Sequence, residues 1–381
     1  MECRQLLHAA APLEAGRLVP LAELDPQLVL VFGSVAALRE PALLAQLEAA
    51  FPGALRVGCS TAGEISDQGV SLDGCVITAV KFEGPVSLQV AEAAVSRMDD
   101  CQEAGAALGA ALRKPGLRAV LLFGKGVGVN GSAILAGLVS VLGERVAISG
   151  GLAGDGGAFR ETLTLSPSGL TPDGLVAVGL YGEGLLLSHG SRGGWTPFGP
   201  VRKATRSHEN ILYELDGEPA LNIYKRYLGE HARDLPTSGL LFPFELMSQD
   251  GNRQGLIRTI LGVDEAAGAL ILAGDIEPGG YLRLMHASTD DLVDGAEAAA
   301  RLAEAARPGA TGRGLALLVS CVGRRLVMGE GVDAEIEVVG RVFGPETTLA
   351  GFYSYGEFGP LGATRCKLHN QTMTVTYLGE R

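Results

Sequence analysis

The sequence predicts an α/β protein of layered mixed sheets, built from internally repeated β-α-β-β units and divided into two domains. Three observations lead there. Three segments share one order of apolar strand, helix, glycine-rich turn and second apolar strand. Their strands are continuous apolar runs bounded by glycine, the pattern of strands covered on both faces. Charged residues make up only 19% of 381 residues while glycine reaches 55, so much surface is buried and many turns are tight.

The elements follow in chain order. The first unit runs from LVLVFGS (Leu28 to Ser34) through a helix over Pro41 to Phe51, the turn RVGCSTAGE (Arg56 to Glu64) and the strand CVITAVKFE (Cys75 to Glu83). The second pairs AVLLFGKG (Ala119 to Gly126) with a helix over Ser132 to Leu142, then AISGGLAGD (Ala147 to Asp155) and LVAVGLYGE (Leu175 to Glu183). The third has LALLVSCVG (Leu315 to Gly323), a helix near Val332 to Val342, LAGFYSYGE (Leu349 to Glu357) and TMTVTYLGE (Thr372 to Glu380). Spacing of this kind reads as crossovers between neighbouring strands. Residue by residue, Gly63-Glu64, Gly154-Asp155 and Gly356-Glu357 are equivalent, and the strand ends converge where ligands sit in open α/β sheets.

Between the second and third units the pattern changes. Leu221, Tyr224 and Leu228 keep helical spacing after an Asp-Gly-Glu-Pro start, within Ile211 to Arg233. LLFPFELM, LIRTILGVD and ALILAGDIEPGGYLRLMHA (Leu240 to Ala287) read as a strand-rich meander. Asp290 to Arg307 is an alanine-rich helix closed by Pro308 and Gly309. The Pro/Gly connection GGWTPFGP (Gly193 to Pro200) puts a boundary nearby, giving domains 1–200 and 201–381.

Composition excludes several functions. A net charge of −12 without a Lys/Arg-rich run repels phosphate backbones and argues against nucleic acid. No stretch reaches the roughly 18 to 20 apolar residues of a membrane span, and the N-terminal segment lacks a leader's apolar core, so a cytoplasmic protein is expected. The six cysteines contain no C-x-x-C pair, which removes zinc-ribbon and thioredoxin readings.

Four constellations could carry chemistry. GVGVNG (Gly126 to Gly131) matches a dinucleotide fingerprint, yet the next strand ends in Ser149-Gly150-Gly151 instead of a ribose-binding acid, so a tight turn is the better reading. GCSTAG (Gly58 to Gly63) resembles a nucleophile elbow, but Ala62 stands where the elbow needs glycine. Cys59 and Ser60 are therefore small residues approaching a ligand or packing closely, with hydrolysis the minor alternative. Among six histidines, none in a zinc-hydrolase spacing, His189 and His369 follow strands. Cys321 and Cys366 are candidate soft metal ligands, with buried structural thiols the plainer reading. In GFYSYGEFGP (Gly351 to Pro360), Tyr353 and Tyr355 alternate onto one strand face; with Glu357, Arg324 and Asn370 they would line a pocket.

Along nearly its whole length the chain resembles the FIST family of sensory proteins. The residues that carry the likeness are VGCSTAGEI, ISGGLAGDGGAF, ELDGEPALNIYKRYLG, CVGRR and GFYSYGEFGP followed by LHNQTMT. SHGSRGGW, LLFPFEL and GDIEPGGYLRLMHAS make it similar to the nitric-oxide-sensing branch. The resemblance implies a bacterial ligand sensor without a catalytic centre, regulating a histidine kinase or a cyclic-di-GMP enzyme. For that branch it also implies haem b, with an iron–sulfur cluster on Cys321 and Cys366 or a metal-free, amino-acid-like ligand as alternatives. His189 and then His369 are the candidate iron ligands; SHEN at His208 departs from the expected glycine, so no ligand role passes to it.

Overall fold

In the computed structural model, which describes residues 1–8, 13–307, 309, 313–361 and 365–381, the three repeated segments become three similar units around a common centre. Each unit supplies four neighbouring strands of one sheet. In the first, Glu2–His8, Cys75–Lys81, Leu28–Gly33 and Leu55–Ser60 lie side by side in that order. The second repeats it with Ser87–Ala94, Gly174–Tyr181, Leu117–Gly124 and Ala147–Leu152. The third does so with Leu185–Arg192, Met373–Glu380, Gly314–Cys321 and Thr347–Ser354. In every sheet the last two strands are parallel and the other pairs antiparallel. Helices Pro41–Ala50, Gly131–Leu142 and Asp333–Phe343 make the crossovers, close to where the apolar periodicity places them.

Each sheet is completed by a hairpin from a different unit. The first unit's hairpin, Glu64–Ser66 and Gly69–Ser71, joins the third sheet. The second unit's, Thr164–Ser166 and Gly169–Thr171, joins the first sheet. The third unit's, Gly356–Leu361 and Arg365–His369, joins the second. The exchange is cyclic. A strand edge that would otherwise stand open is paired by a neighbour in each sheet, which removes three sites of edge-to-edge association.

The parallel registers correct the equivalence drawn from the sequence. Val31 faces Gly58, Leu122 faces Gly150 and Leu318 faces Gly351. A Cβ at Gly58, Gly150 or Gly351 would lie 1.8, 2.1 and 1.8 Å from the facing carbonyl oxygen, so this position requires glycine. The middle unit is thus offset by one residue: Ala62, Gly154 and Tyr355 correspond. Their amides donate to Tyr353 O, Ser60 O and Leu152 O of the neighbouring unit, at 2.8, 2.8 and 3.1 Å. Below this ring of bonds Phe32, Phe123 and Phe352 pack with centroids 4.7 to 6.1 Å apart.

An eight-stranded sheet interrupts the third unit between Arg192 and the helix Thr289–Ala305. It is the predicted meander, and its core holds Leu221, Tyr224 and Leu228 of the helix Ala220–Leu228. The strand Ile211–Leu215 precedes that helix, so helical spacing begins only after the Asp-Gly-Glu-Pro turn. A capping box of Ser288 and Asp291 restarts the third unit. Pro308, read as that helix's stop, lies outside the described residues.

Candidate functional site

The inserted sheet meets the second unit along a cleft of about 550 Å³, well inside the roughly 300 to 1,000 Å³ of small-molecule sites. Three elements wall it: the helix Gly131–Leu142, the hairpin strand Arg365–His369, and the inserted strand Arg253–Arg258. Asn130 caps the helix by accepting Ala133 N at 3.0 Å, and its amide reaches Asp275 Oδ1 at 3.3 Å. The GVGVNG segment is therefore a turn and cap that touches the insert. On the inserted strand, side chains alternate as a strand requires. Leu256 and Arg258 face the cleft, while Gly255 and Ile257 line a second cavity of about 440 Å³.

Arg258 is the notable group. It is 4% exposed, and no carboxylate among the described residues lies within ion-pair distance of it. Nη1 donates to Ile257 O, Leu368 O and Asn370 Oδ1 at 3.1, 3.2 and 3.5 Å, and Nε to Asp275 O at 3.3 Å. Nη2 makes no hydrogen bond to the described protein. Burial lowers its pKa to about 10, with Asp275 and Glu357 opposing the shift from farther away; it stays a cation at neutral pH. An unpaired buried charge is costly, and around this guanidinium only neutral oxygens offset that cost. Sequence reasoning passed over it, although a lone arginine in the apolar run LIRTIL was a legible signal.

The residues singled out from the sequence are placed differently from the pocket wall drawn above. Arg324 is fully buried and bonded to Glu335 Oε2 at 2.6 Å, Leu292 O at 2.9 Å, Ser320 Oγ at 3.2 Å and Gly193 O. Tyr353 donates to the other oxygen of Glu335. The two do come together, but around a carboxylate inside the third unit. Tyr355 donates to Asp155, accepts from Gly157 N at 3.0 Å and stacks on Phe159 at 4.1 Å, so it holds the loop of the second unit. Glu357 is buried and accepts from Thr372 Oγ1 at 2.8 Å and Ser354 Oγ at 3.0 Å; burial outweighs these bonds and raises its pKa to about 8. Of these five residues, Asn370 serves the cleft, through Arg258.

Ser60 donates to Gly154 O at 2.7 Å and accepts Leu163 N at 2.8 Å, so its hydroxyl is a joint between units. Cys59 lies in the central apolar core, where burial drives its thiol pKa far up. Cys321 is buried under similar conditions, while Cys366 accepts Ile148 N at 3.3 Å and lines the cleft. Among the described residues no group of three or more His, Cys, Asp or Glu is arranged for a metal ion, and an iron–sulfur cluster asks for about four such ligands.

The two histidines divide. His369 Nε2 meets Gly359 O at 3.1 Å, and burial lowers its pKa to about 4. His189 Nδ1 meets Thr376 Oγ1 at 3.1 Å and Ser149 Oγ at 3.3 Å, but its shielded Nε2 has no partner. His189 lines a cavity of about 210 Å³ shared with Cys366, below the roughly 300 Å³ of even small ligand sites. As arranged, the cavity at His189 is too small for a haem, and His369, which lines the 440 Å³ cavity, has its Nε2 committed to Gly359 O.

A three-unit ring with a grafted sheet and a charged cleft at the join is the build of a ligand-binding module. Family models for the FIST N domain and the FIST C domain match residues 27–218 and 220–360, and the chain belongs to the FIST family, whose domains are sensory, ligand-binding parts of signalling proteins. No curated protein matches the sequence. The chain is similar to a solved cyanuric acid hydrolase from A. caulinodans, at 11% identity over 100% of this chain and 99% of that one. The TM-score of 0.38 is too low to bear on activity. No helix among the described residues is long and apolar enough to cross a membrane.

Proposed function

We propose that this protein is a cytoplasmic receptor whose small-molecule ligand occupies the cleft between the inserted sheet and the second unit. The observation that carries the reading is Arg258: a buried cation with no carboxylate partner among the described residues, lining a cavity of about 550 Å³. Because the cleft is walled by segments matched to both FIST domains, a ligand that contacts both favours one arrangement of the two over another. A partner histidine kinase or cyclic-di-GMP enzyme would read that difference. Its six cysteines without a disulfide agree with a reducing compartment. The commitment of Ser60 to structural bonds and the walling-in of Cys59 support a receptor without a catalytic centre.

The test is a thermal-shift screen of small metabolites on the full chain and on Ala136→Trp, a substitution at an exposed helix position on the cleft wall. Compounds that raise the melting temperature of the wild type should lose that effect in the variant. Equal shifts in both proteins would remove the cleft as the sensory site.

The nitric oxide reading rests on a separate observation, the unpartnered Nε2 of His189. It requires the small cavity there to open. A Soret band after haem reconstitution that is lost in His189→Ala supports it; a colourless protein after the same treatment removes it.

A further inference from the structure

Two strand edges meet at the cleft without pairing. Arg365–His369 ends the second sheet, and Arg253–Arg258 ends the inserted one. The strand Gly356–Leu361 pairs with Arg365–His369 on one side, and opposite Cys366 stands Pro360, which has no N–H. Residues of an antiparallel strand alternate between aiming both main-chain groups at the partner and aiming both away. Leu368 aims away, because its carbonyl accepts Arg258 Nη1 from the far side at 3.2 Å. Cys366, two residues earlier, does the same. Its N–H and C=O, and the N–H of Leu368, have no hydrogen-bond partner among the described residues. Both residues line the cleft. An open strand edge is a template for one more strand.

Resting on the reading of this cleft as the sensory site, we propose that it takes a short apolar peptide, extended along Cys366 and Leu368 as an added strand of the second sheet. The peptide's amides supply the donor and acceptors that the open edge lacks. From Cys366 to Leu368 the edge runs about 7 Å at roughly 3.4 Å per residue, so the pairing takes about three ligand residues. A free amino acid covers a fraction of it. Arg258 closes one end, since its bond to Leu368 O stops the ladder there. Side chains leave an extended strand on alternate faces. Leu135 and Val139 of the helix Gly131–Leu142, and Leu246, Leu256 and Ile276 of the insert, give them apolar walls.

Calorimetric titration of the full chain with trileucine, trivaline and leucyl-alanyl-leucine tests this, against leucine and against the same peptides methylated on both peptide nitrogens. At least one tripeptide is expected to bind, with leucine and its own methylated form at least tenfold weaker. Cys366→Pro removes an N–H that the pairing with Gly356–Leu361 does not use, and should weaken that tripeptide severalfold. Failure of all three tripeptides, or a methylated form that binds as well as its parent, overturns the ligand class whether or not Cys366→Pro folds. A folded Cys366→Pro that binds undiminished overturns it too. Any of these results leaves intact the melting shifts that separate wild type from Ala136→Trp. If a tripeptide binds but Ala136→Trp leaves its affinity unchanged, the cleft reading itself fails instead.

Discussion

Arg258 and Arg324 are both buried guanidinium groups, and their partners separate them. Arg324 meets Glu335 and three further oxygens, so its charge is compensated within the protein. Arg258 meets only neutral oxygens. Removing the partner of a buried ion costs about 3 to 5 kcal/mol, so Glu335→Ala should lower unfolding free energy by that order, measured by urea denaturation, since it strands Arg324 and the Tyr353 phenol together. Glu357 sets a pH dependence. Its pKa rises from the ordinary 4.5 to about 8 on folding, because burial penalises its charged form more than Thr372 and Ser354 favour it. The folded state therefore holds this proton more tightly than the unfolded chain. Its contribution is complete below about pH 4.5 and declines as pH rises through 8. Glu357→Gln should flatten stability against pH between those limits, and denaturation curves at pH 5, 7 and 9 check it.

At the scale of elements, the strands and crossover helices were legible because glycine and apolar runs mark them. The helix expected over Ser132 to Leu142 is observed as Gly131–Leu142, and the one near Val332 to Val342 as Asp333–Phe343. The one-residue offset of the middle unit was not legible. It comes from where the facing carbonyl demands glycine, a contact between strands that alignment by Gly-acid pairs does not see. Hairpin exchange was equally hidden, since sequence order says nothing about which sheet a short hairpin joins. Gly58→Ala and Gly351→Ala each place a Cβ 1.8 Å from a backbone oxygen, so each should forfeit soluble, cooperatively unfolding protein, read by circular dichroism melts. Gly116→Ala, where a Cβ meets nothing within 4 Å, is the contrast: its positive φ of 85° costs strain without a clash. It should fold with a modestly lower melting temperature.

For the whole molecule, the ring and the graft have different mechanical roles. The ring is closed by three exchanged hairpins and a shared core, so its units cannot move apart without breaking sheets. The graft leaves and returns through adjacent strand ends, where Thr196 pairs with His286, and meets the second unit across the cleft. In the proposed receptor, motion between ring and graft carries the signal of an occupied site. The sequence pointed to a receptor, and to strand ends rich in aromatic and charged groups, but Arg324, Tyr353 and Glu357 bond within the third unit and Tyr355 ties it to the second. The cleft escaped notice because its walls come from residues near 135, 256 and 367, distant in the chain and unremarkable one by one.

Hydrogen–deuterium exchange of the full chain, with and without a saturating compound that raises the melting temperature of the wild type but not of Ala136→Trp, tests the central claim most directly. The account predicts slower exchange together in Gly131–Leu142, Arg253–Arg258 and Arg365–His369, the three walls of the cleft. Protection confined to the strand ends around Tyr353 and Tyr355, with those walls unchanged, would contradict it.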